Sequence, residues 1–336
     1  MFERVVKEFK SIDLDEMRFE GFLEKRAVEI KKCVENVAKG KGWEDKTECP
    51  VCASRERQTI MSRYGFNVMK CFECGVGYME KFPVDTGDVY SDVAYLPIAQ
   101  SDYLDHVDYR QQRFAQERLD IIWQYMKKPA EQVRLLDVGC GTGWFLDSAK
   151  KSGFQTAGQE FGKDLAAFTA KRLGICVWSE PLTKIPVNEK FDVITLFDVI
   201  EHVPNPREVI QSIADHLNPG GISLLFTPNL DAFAFAKLKE RSSLITPVEH
   251  LFYFTIPSLK RLVDEAGLTV LKAETKGMDI PDIFSHYRDD LKNQAVADFL
   301  REHCSQLQAM IDASGCANHL RFIVTDRKFR LTNTSK

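Results

Sequence analysis

The segment Leu135-Leu136-Asp137-Val138-Gly139-Cys140-Gly141-Thr142-Gly143, followed at once by Trp144-Phe145-Leu146, constrains the fold more than any other stretch of the chain. A short apolar run that ends in alternating glycines and passes directly into a helical pattern reads as strand, tight turn and helix. Lacking Cβ atoms, such glycines let backbone approach a ligand at the carboxyl end of a strand, where open α/β sheets bind ligands. The flanking sequence keeps the same alternation. VRLLDVG, FQTAGQE, FDVITLF and GISLLFT read as strands, and 144–152, 164–173 and 206–217 as the helices between them. A helix over 256–266, a strand over 268–273 and a last strand over 319–325 extend the pattern, with helix formers in 278–317 interrupting the final two strands. Strands alternating with helices predict a parallel sheet covered on both faces.

Glu160 lies seventeen residues beyond Gly143, at the end of the second predicted strand, where a carboxylate can accept both hydroxyls of an adenosine ribose. A dinucleotide fold would space its glycines G-x-G-x-x-G around a pyrophosphate. This chain has G-x-G-x-G. With Asp137 ahead of the first glycine, Glu160, and the later FDVITLFDVIEHV and LNPGG, the set resembles the class I S-adenosylmethionine-dependent methyltransferase family over about residues 110–276 and the final strand. The resemblance implies a Rossmann-like seven-stranded sheet in the order 3-2-1-4-5-7-6. It also implies S-adenosyl-L-methionine as cofactor, bordered by Asp137, Gly139, Cys140, Gly141, Gly143 and Asp198, with Glu160 on the ribose and Phe161 along the adenine.

Phe197-Asp198-Val199-Ile200-Glu201-His202-Val203, at the end of the fourth strand, looks like the D-x-x-E-H-x segment of the branch related to quinone-biosynthesis O-methyltransferases. Methyl transfer is an in-line displacement, so the protein must align two centres and, for a hydroxyl or amine acceptor, remove a proton. His202 has a suitable pKa for that task. Pro247-Val248-Glu249-His250-Leu251 resembles a segment of the same branch, making His250 the competing base; either histidine can instead be structural. Thr227 and Asn229, after the fifth strand, are expected on the rim of the acceptor site.

Cys49-x-x-Cys52 and Cys71-x-x-Cys74, eighteen residues apart, form two knuckles with the spacing of a tetrahedral four-cysteine zinc site. Four thiolates leave no open position, so the Zn2+ is expected to be structural. Arg55, Arg57, Arg63 and Lys70 lie between the knuckles, opposed by Glu56 and Glu73. The expected organisation is an N-terminal helical segment (1–48), a zinc ribbon (49–78), a tyrosine-rich connector or lid (79–128) with a helix over 105–126, and a methyltransferase domain (129–330) with a helical insertion at about 278–317. Connector and insertion are expected to cover the acceptor.

Composition limits the partners. With 45 Lys and Arg against 49 Asp and Glu in 336 residues, the chain lacks the basic excess of proteins that hold nucleic acid by bulk charge. No apolar run is long enough for a membrane helix, and charges interrupt the first ten residues where a signal peptide would be apolar. The expectation is a cytoplasmic protein whose nine cysteines are thiols or metal ligands. Its expected function is methyl transfer to a small-molecule or sugar-like acceptor, on oxygen rather than nitrogen or carbon. The alternatives are an RNA-modifying methyltransferase guided by the ribbon and a non-catalytic cofactor-binding partner protein.

Overall fold

The computed structural model describes residues 22–89, 107–288 and 291–326. The first 21 residues of the expected helical segment, and Tyr90, Tyr95 and Tyr103 of the connector, lie outside the described residues. The chain divides into two compact units assembled from separate stretches. One comprises Met1–Val89, Thr227–Leu259 and Glu274–Arg321, and the other Tyr90–Phe226, Lys260–Ala273 and Phe322–Lys336.

The helix Phe22–Lys39 in the first unit is amphipathic: it buries Ile30 and Val37, with Glu29 beside them, and exposes Glu24, Lys31, Lys32, Glu35 and Lys39. Five short strands follow: β1 (Trp43–Asp45), β2 (Arg57–Arg63), β3 (Phe66–Cys71), β4 (Gly77–Met79) and β5 (Lys81–Pro83). β1 and β5 pair antiparallel, while β2, β3 and β4 form a meander. Tyr64 and Gly65 join β2 to β3 with φ of 53° and 79°, the two left-handed residues of a tight hairpin turn.

The second unit is built on a seven-stranded sheet. Its strands begin with β6 (Arg134–Val138), β7 (Gln155–Gln159), β8 (Val177–Trp178), β9 (Phe191–Phe197) and β10 (Leu217–Pro228). After β11 (Phe252–Tyr253), which belongs to the first unit, come β12 (Leu268–Thr275) and β13 (His319–Asp326). The order is β12-β13-β10-β9-β6-β7-β8, which is the order the resemblance implies, read from the other edge. β6 lies parallel between β7 and β9, and β9 is parallel to β10. Six consecutive buried residues in β9 reflect helices on both faces. Leu135, Phe145, Leu146, Leu224 and Phe226 are among the residues of the core beside the glycine turn.

Two local differences from the sequence reading have physical causes. The helix expected over 206–217 starts as anticipated, with Asn205 capping it and Pro206 in its first turn, but ends at His216. Leu217 already pairs with Phe191, and the register resumes only at Ile222 opposite Val193. Asn218-Pro219-Gly220-Gly221 is therefore an irregularity inside a strand rather than a loop before one. At Gly221 a Cβ would sit 2.9 Å from the carbonyls of both Asn218 and Asp192, so only glycine passes there. The helix leading into the sheet domain runs from 107 to 125 and contains a π-helical stretch at Gln111–Ala115.

The ribbon meander is completed from a distance. β11 pairs antiparallel with β4, Phe252 opposite Tyr78 and Tyr253 opposite Gly77, giving a four-stranded sheet β11-β4-β3-β2. A Cβ on Gly77 would meet Leu230 and Tyr253 at 3.1 Å, so the close approach suits glycine. The predicted insertion forms helices at Asp279–Ser285 and Gln294–Ala313, and Phe284, Leu300, Cys304 and Ile311 share a core with Ala234 and Leu238.

Candidate active site and metal centre

Gly139, Gly141 and Gly143 all adopt positive φ, at 69°, 53° and 76°. They differ in what surrounds them. A Cβ on Gly139 would lie 2.5 Å from Val199, and one on Gly143 would lie 2.6 Å from Thr169 and 2.8 Å from Leu173. Gly141 faces open space, with nothing within 4 Å. The outer glycines are thus required by packing and the middle one by backbone conformation, leaving bare main chain exposed to an approaching molecule.

Glu160 locks this turn. One carboxylate oxygen accepts from the N–H of Gly141 at 3.0 Å and the other from the N–H of Gly162 at 2.9 Å. Gln159 adds an acceptor for the N–H of Gly139 at 3.3 Å, and Thr169 donates to the carbonyl of Gly141 at 2.7 Å. Next to Glu160, Phe161 presents its ring to solvent at 42% exposure. Asp137 is buried below the turn and accepts from the Thr195 hydroxyl at 2.6 Å. Burial pushes its carboxyl up to about 7, opposed by that hydrogen bond and by the positive charge of Arg118.

Cys140 is buried, with its sulfur 3.9 Å from the Gly141 carbonyl. Its sulfur packs in the core, so that a Cβ on Gly158 would touch it at 2.8 Å, and burial pushes the thiol well above its usual range. Asp198 follows β9, exposed and left-handed with φ of 58°, and donates its N–H to the Phe226 carbonyl at 3.0 Å. Thr227 and Asn229 are not rim residues. Both are buried, and Asn229 donates to the carbonyl of Ala317 at 2.9 Å while accepting from the N–H of Asp231 at 3.0 Å.

Arg118 is the residue that sequence reasoning missed. Its guanidinium lies 3.8 Å from the Phe197 ring centroid, 4.7 Å from Trp144 and about 6 Å from Phe145 and Phe226. An aromatic frame around a cation at the ends of β9 and β10 leaves a fixed positive charge beside the glycine turn. The signal was present in the helical pattern: Arg118 falls on the stripe of Ala115, Leu119 and Ile122, all buried.

The two histidines are each held by local structure. His202 sits in the turn after β9, its N–H donating to the Val199 carbonyl at 3.0 Å and its Nε2 lying 3.9 Å from the fully buried Glu201. His250, largely buried, places Nδ1 2.9 Å from the Leu244 carbonyl. A carbonyl only accepts, so Nδ1 carries the hydrogen and the neutral ring's lone pair resides on Nε2.

In the first unit, the sulfurs of Cys49, Cys52, Cys71 and Cys74 all lie within 4.8 Å of one another, with Cys49 and Cys74 3.7 Å apart and Cys52 and Cys71 3.5 Å apart. Zn–S bonds of about 2.3 Å in a tetrahedron require sulfurs roughly 3.8 Å apart, so the cluster has the dimensions of a four-thiolate site. Without a cation the thiols resist joint ionisation. The hydrogen bond from Cys74 holds Cys49 down at about 5, and the same contact, with burial, drives Cys74 far up. A dication at the centre removes that conflict.

Residues 107–273 match the family described as a methyltransferase domain. A ubiquinone biosynthesis O-methyltransferase from Shewanella halifaxensis is 34% identical over 111 residues, covering 31% of this chain and 47% of its own length. The namesake from Aeromonas salmonicida is 27% identical over 150 residues, 41% of this chain and 63% of its own. The chain thus spans about half to three fifths of the length of these relatives. Among solved structures, a SAM-dependent methyltransferase from Archaeoglobus fulgidus aligns with a TM-score of 0.46 and 16% identity, over 68% of this chain and 99% of its own. Among the described residues no helix is long and apolar enough to cross a membrane. By its strand order, its glycine turn with Glu160 and its family match, the segment 107–273 is a class I S-adenosylmethionine-dependent methyltransferase domain.

Proposed function

We propose that this chain transfers a methyl group from S-adenosylmethionine to a hydroxyl oxygen of a small-molecule acceptor. The observation that carries the reading is the turn after β6, where Gly141 faces open space and Glu160 is fixed beside it by two backbone N–H groups. When bound, the cofactor supplies an electrophilic methyl on a sulfonium sulfur. Each Glu160 oxygen already accepts one N–H, which orients the carboxylate and leaves further lone pairs for the ribose hydroxyls. Phe161 offers its exposed ring to the adenine, and Arg118 a framed guanidinium to the carboxylate of the methionine moiety. The names of the ubiquinone biosynthesis relatives favour oxygen as the methylated atom. A hydroxyl must lose its proton, and His202 or His250 is the group to take it. Cys49, Cys52, Cys71 and Cys74 would hold a structural Zn2+, and a cytoplasmic setting fits a chain in which the described cysteines form no disulfide.

The test is a metabolite extract incubated with methyl-labelled cofactor, followed by identification of the labelled product. A methyl ether is expected, and a methyl ester would instead point to a carboxylate acceptor. A labelled amine or carbon centre would move the assignment to another atom, and absence of any labelled product despite calorimetric binding of S-adenosylhomocysteine would favour the non-catalytic alternative. Replacing the histidine that acts as base by Gln should lower the rate about 10²–10⁴-fold with cofactor affinity within a few-fold of the parent. Parental rates in both His202→Gln and His250→Gln would show that neither serves.

A further inference from the structure

Arg63, the last residue of β2, reaches out of the ribbon meander to a turn far along the chain. Its Nη1 donates to the carbonyls of Ser242 at 2.7 Å and Ile245 at 2.5 Å. Within that turn the N–H of Ile245 returns to the Ser242 carbonyl at 3.1 Å. The carbonyl of Leu244, directly before the clamped Ile245, is the one that receives the Nδ1 hydrogen of His250. On its amide side the turn is held by Asp282, fully buried, which accepts from the Ser242 hydroxyl at 2.8 Å and the Ser243 N–H at 3.2 Å. Downstream, the N–H of His250 donates to the Thr246 carbonyl at 2.8 Å, and two residues later the chain enters β11 and pairs with β4.

We propose that Arg63 is a positioning residue for His250: by fixing the carbonyls on either side of Leu244 it holds the Leu244 carbonyl on Nδ1, and so keeps the imidazole in the tautomer whose lone pair is on Nε2. The inference rests on the reading of His250 as a base for its functional meaning, but not for its geometry. A neutral imidazole exists as two tautomers, and a carbonyl fixed opposite Nδ1 selects the one with hydrogen there. A mobile carbonyl selects neither. Arg63 suits the task because a guanidinium offers several hydrogens in a rigid plane and is always charged, so one side chain grips two carbonyls at any working pH. The metal-bearing meander thereby has a use besides stability: it supplies the fixed frame from which the guanidinium acts. A purely bracing Arg63 would alter stability while leaving the tautomer of His250 alone.

The test uses the full-length chain, zinc-loaded, with ring-15N histidine and saturating S-adenosylhomocysteine, and the His250 signal identified by its loss in His250→Gln. In the parent, the ring 15N shifts should report one tautomer, hydrogen on Nδ1, with slow exchange of that proton. In Arg63→Ala the shifts should move toward a tautomer mixture and proton exchange should accelerate about tenfold, as expected for the loss of a hydrogen bond from a charged group. Arg63→Lys, which retains one reachable carbonyl, should fall between. Arg55→Ala is the control: it removes the same charge from the ribbon, but that guanidinium pairs with Glu48 and not with the turn. Unchanged shifts and exchange in Arg63→Ala overturn the proposal, as does an equal change in Arg55→Ala. If Arg63→Ala fails to retain zinc, Arg63→Lys with full zinc content decides, and a parental spectrum there is equally fatal. The base reading fails separately: if His250→Gln keeps its methyl-transfer rate while Arg63→Ala disturbs the tautomer, the positioning stands and the catalytic role of His250 falls.

Discussion

Glu160 braces the glycine turn and, on the proposed function, also receives the ribose; substitutions can separate the two. Glu160→Ala should weaken S-adenosylhomocysteine binding by about 1.5–3 kcal/mol, the cost of losing hydrogen bonds to a charged acceptor, and should also release the N–H groups of Gly141 and Gly162. Glu160→Gln preserves shape and one acceptor oxygen, so its loss should be smaller; calorimetry giving equal affinity for parent and Ala variant would remove Glu160 from the cofactor site. Gly143→Ala tests the turn itself. Positive φ and contacts of 2.6–2.8 Å with Thr169 and Leu173 both oppose a Cβ, so the variant should melt at a clearly lower temperature, whereas Gly141→Ala should bear only the left-handed strain of about 1–2 kcal/mol. Asp137 gives a pH signature. Its folded value of about 7 lies above the unfolded value of about 3.9, so the native state binds more protons between them and stability falls as pH rises through that window, levelling above it. Asp137→Asn should flatten this part of the profile of melting temperature against pH; an unchanged slope would mean that Asp137 is ionised throughout.

Among the elements, those with a strong local period were legible and those set by distant partners were not. The strands β6, β9 and β10 announce themselves as apolar runs, and the two cysteine knuckles by their spacing, because both signals reside in a few consecutive residues. The pairing of β4 with β11 left no such mark, since strands of three and two residues carry no usable alternation. Arg118 was hidden because a cation on a helix reads as solvated until the aromatic rings around it are seen. Asn229 was misread for the converse reason: an amide after a strand looks like a rim group, and only the fold shows it bound to Ala317. The insertion carries its own lesson. Phe284, Leu300 and Ile311 fill a core with Ala234 and Leu238, so removing the 282–313 stretch should unfold its surroundings rather than merely empty an acceptor pocket. At the ribbon, Cys49→Ser or Cys74→Ser should release the metal, because binding energy at a four-thiolate site is folding energy. Elemental analysis finding no zinc in carefully prepared parent would refute the site.

At the scale of the whole molecule, the two units predict separable responses. Chelation should accelerate hydrogen exchange in β2, β3, β4 and in Phe252–Tyr253 together, because these strands form one sheet, while β6, β7 and β9 keep their protection. Exchange confined to the knuckles would show that the sheet stands without its metal. The pairing of β4 with β11 also sets a timetable. Roughly 170 residues separate Met79 from Phe252, so at synthesis rates of about 5–20 residues per second the edge of β4 stays open on the nascent chain for about 9–35 s. During that interval the ribbon carries an unpaired strand edge, the condition under which chains join wrongly. Cover of that edge during translation should therefore raise the yield of folded protein.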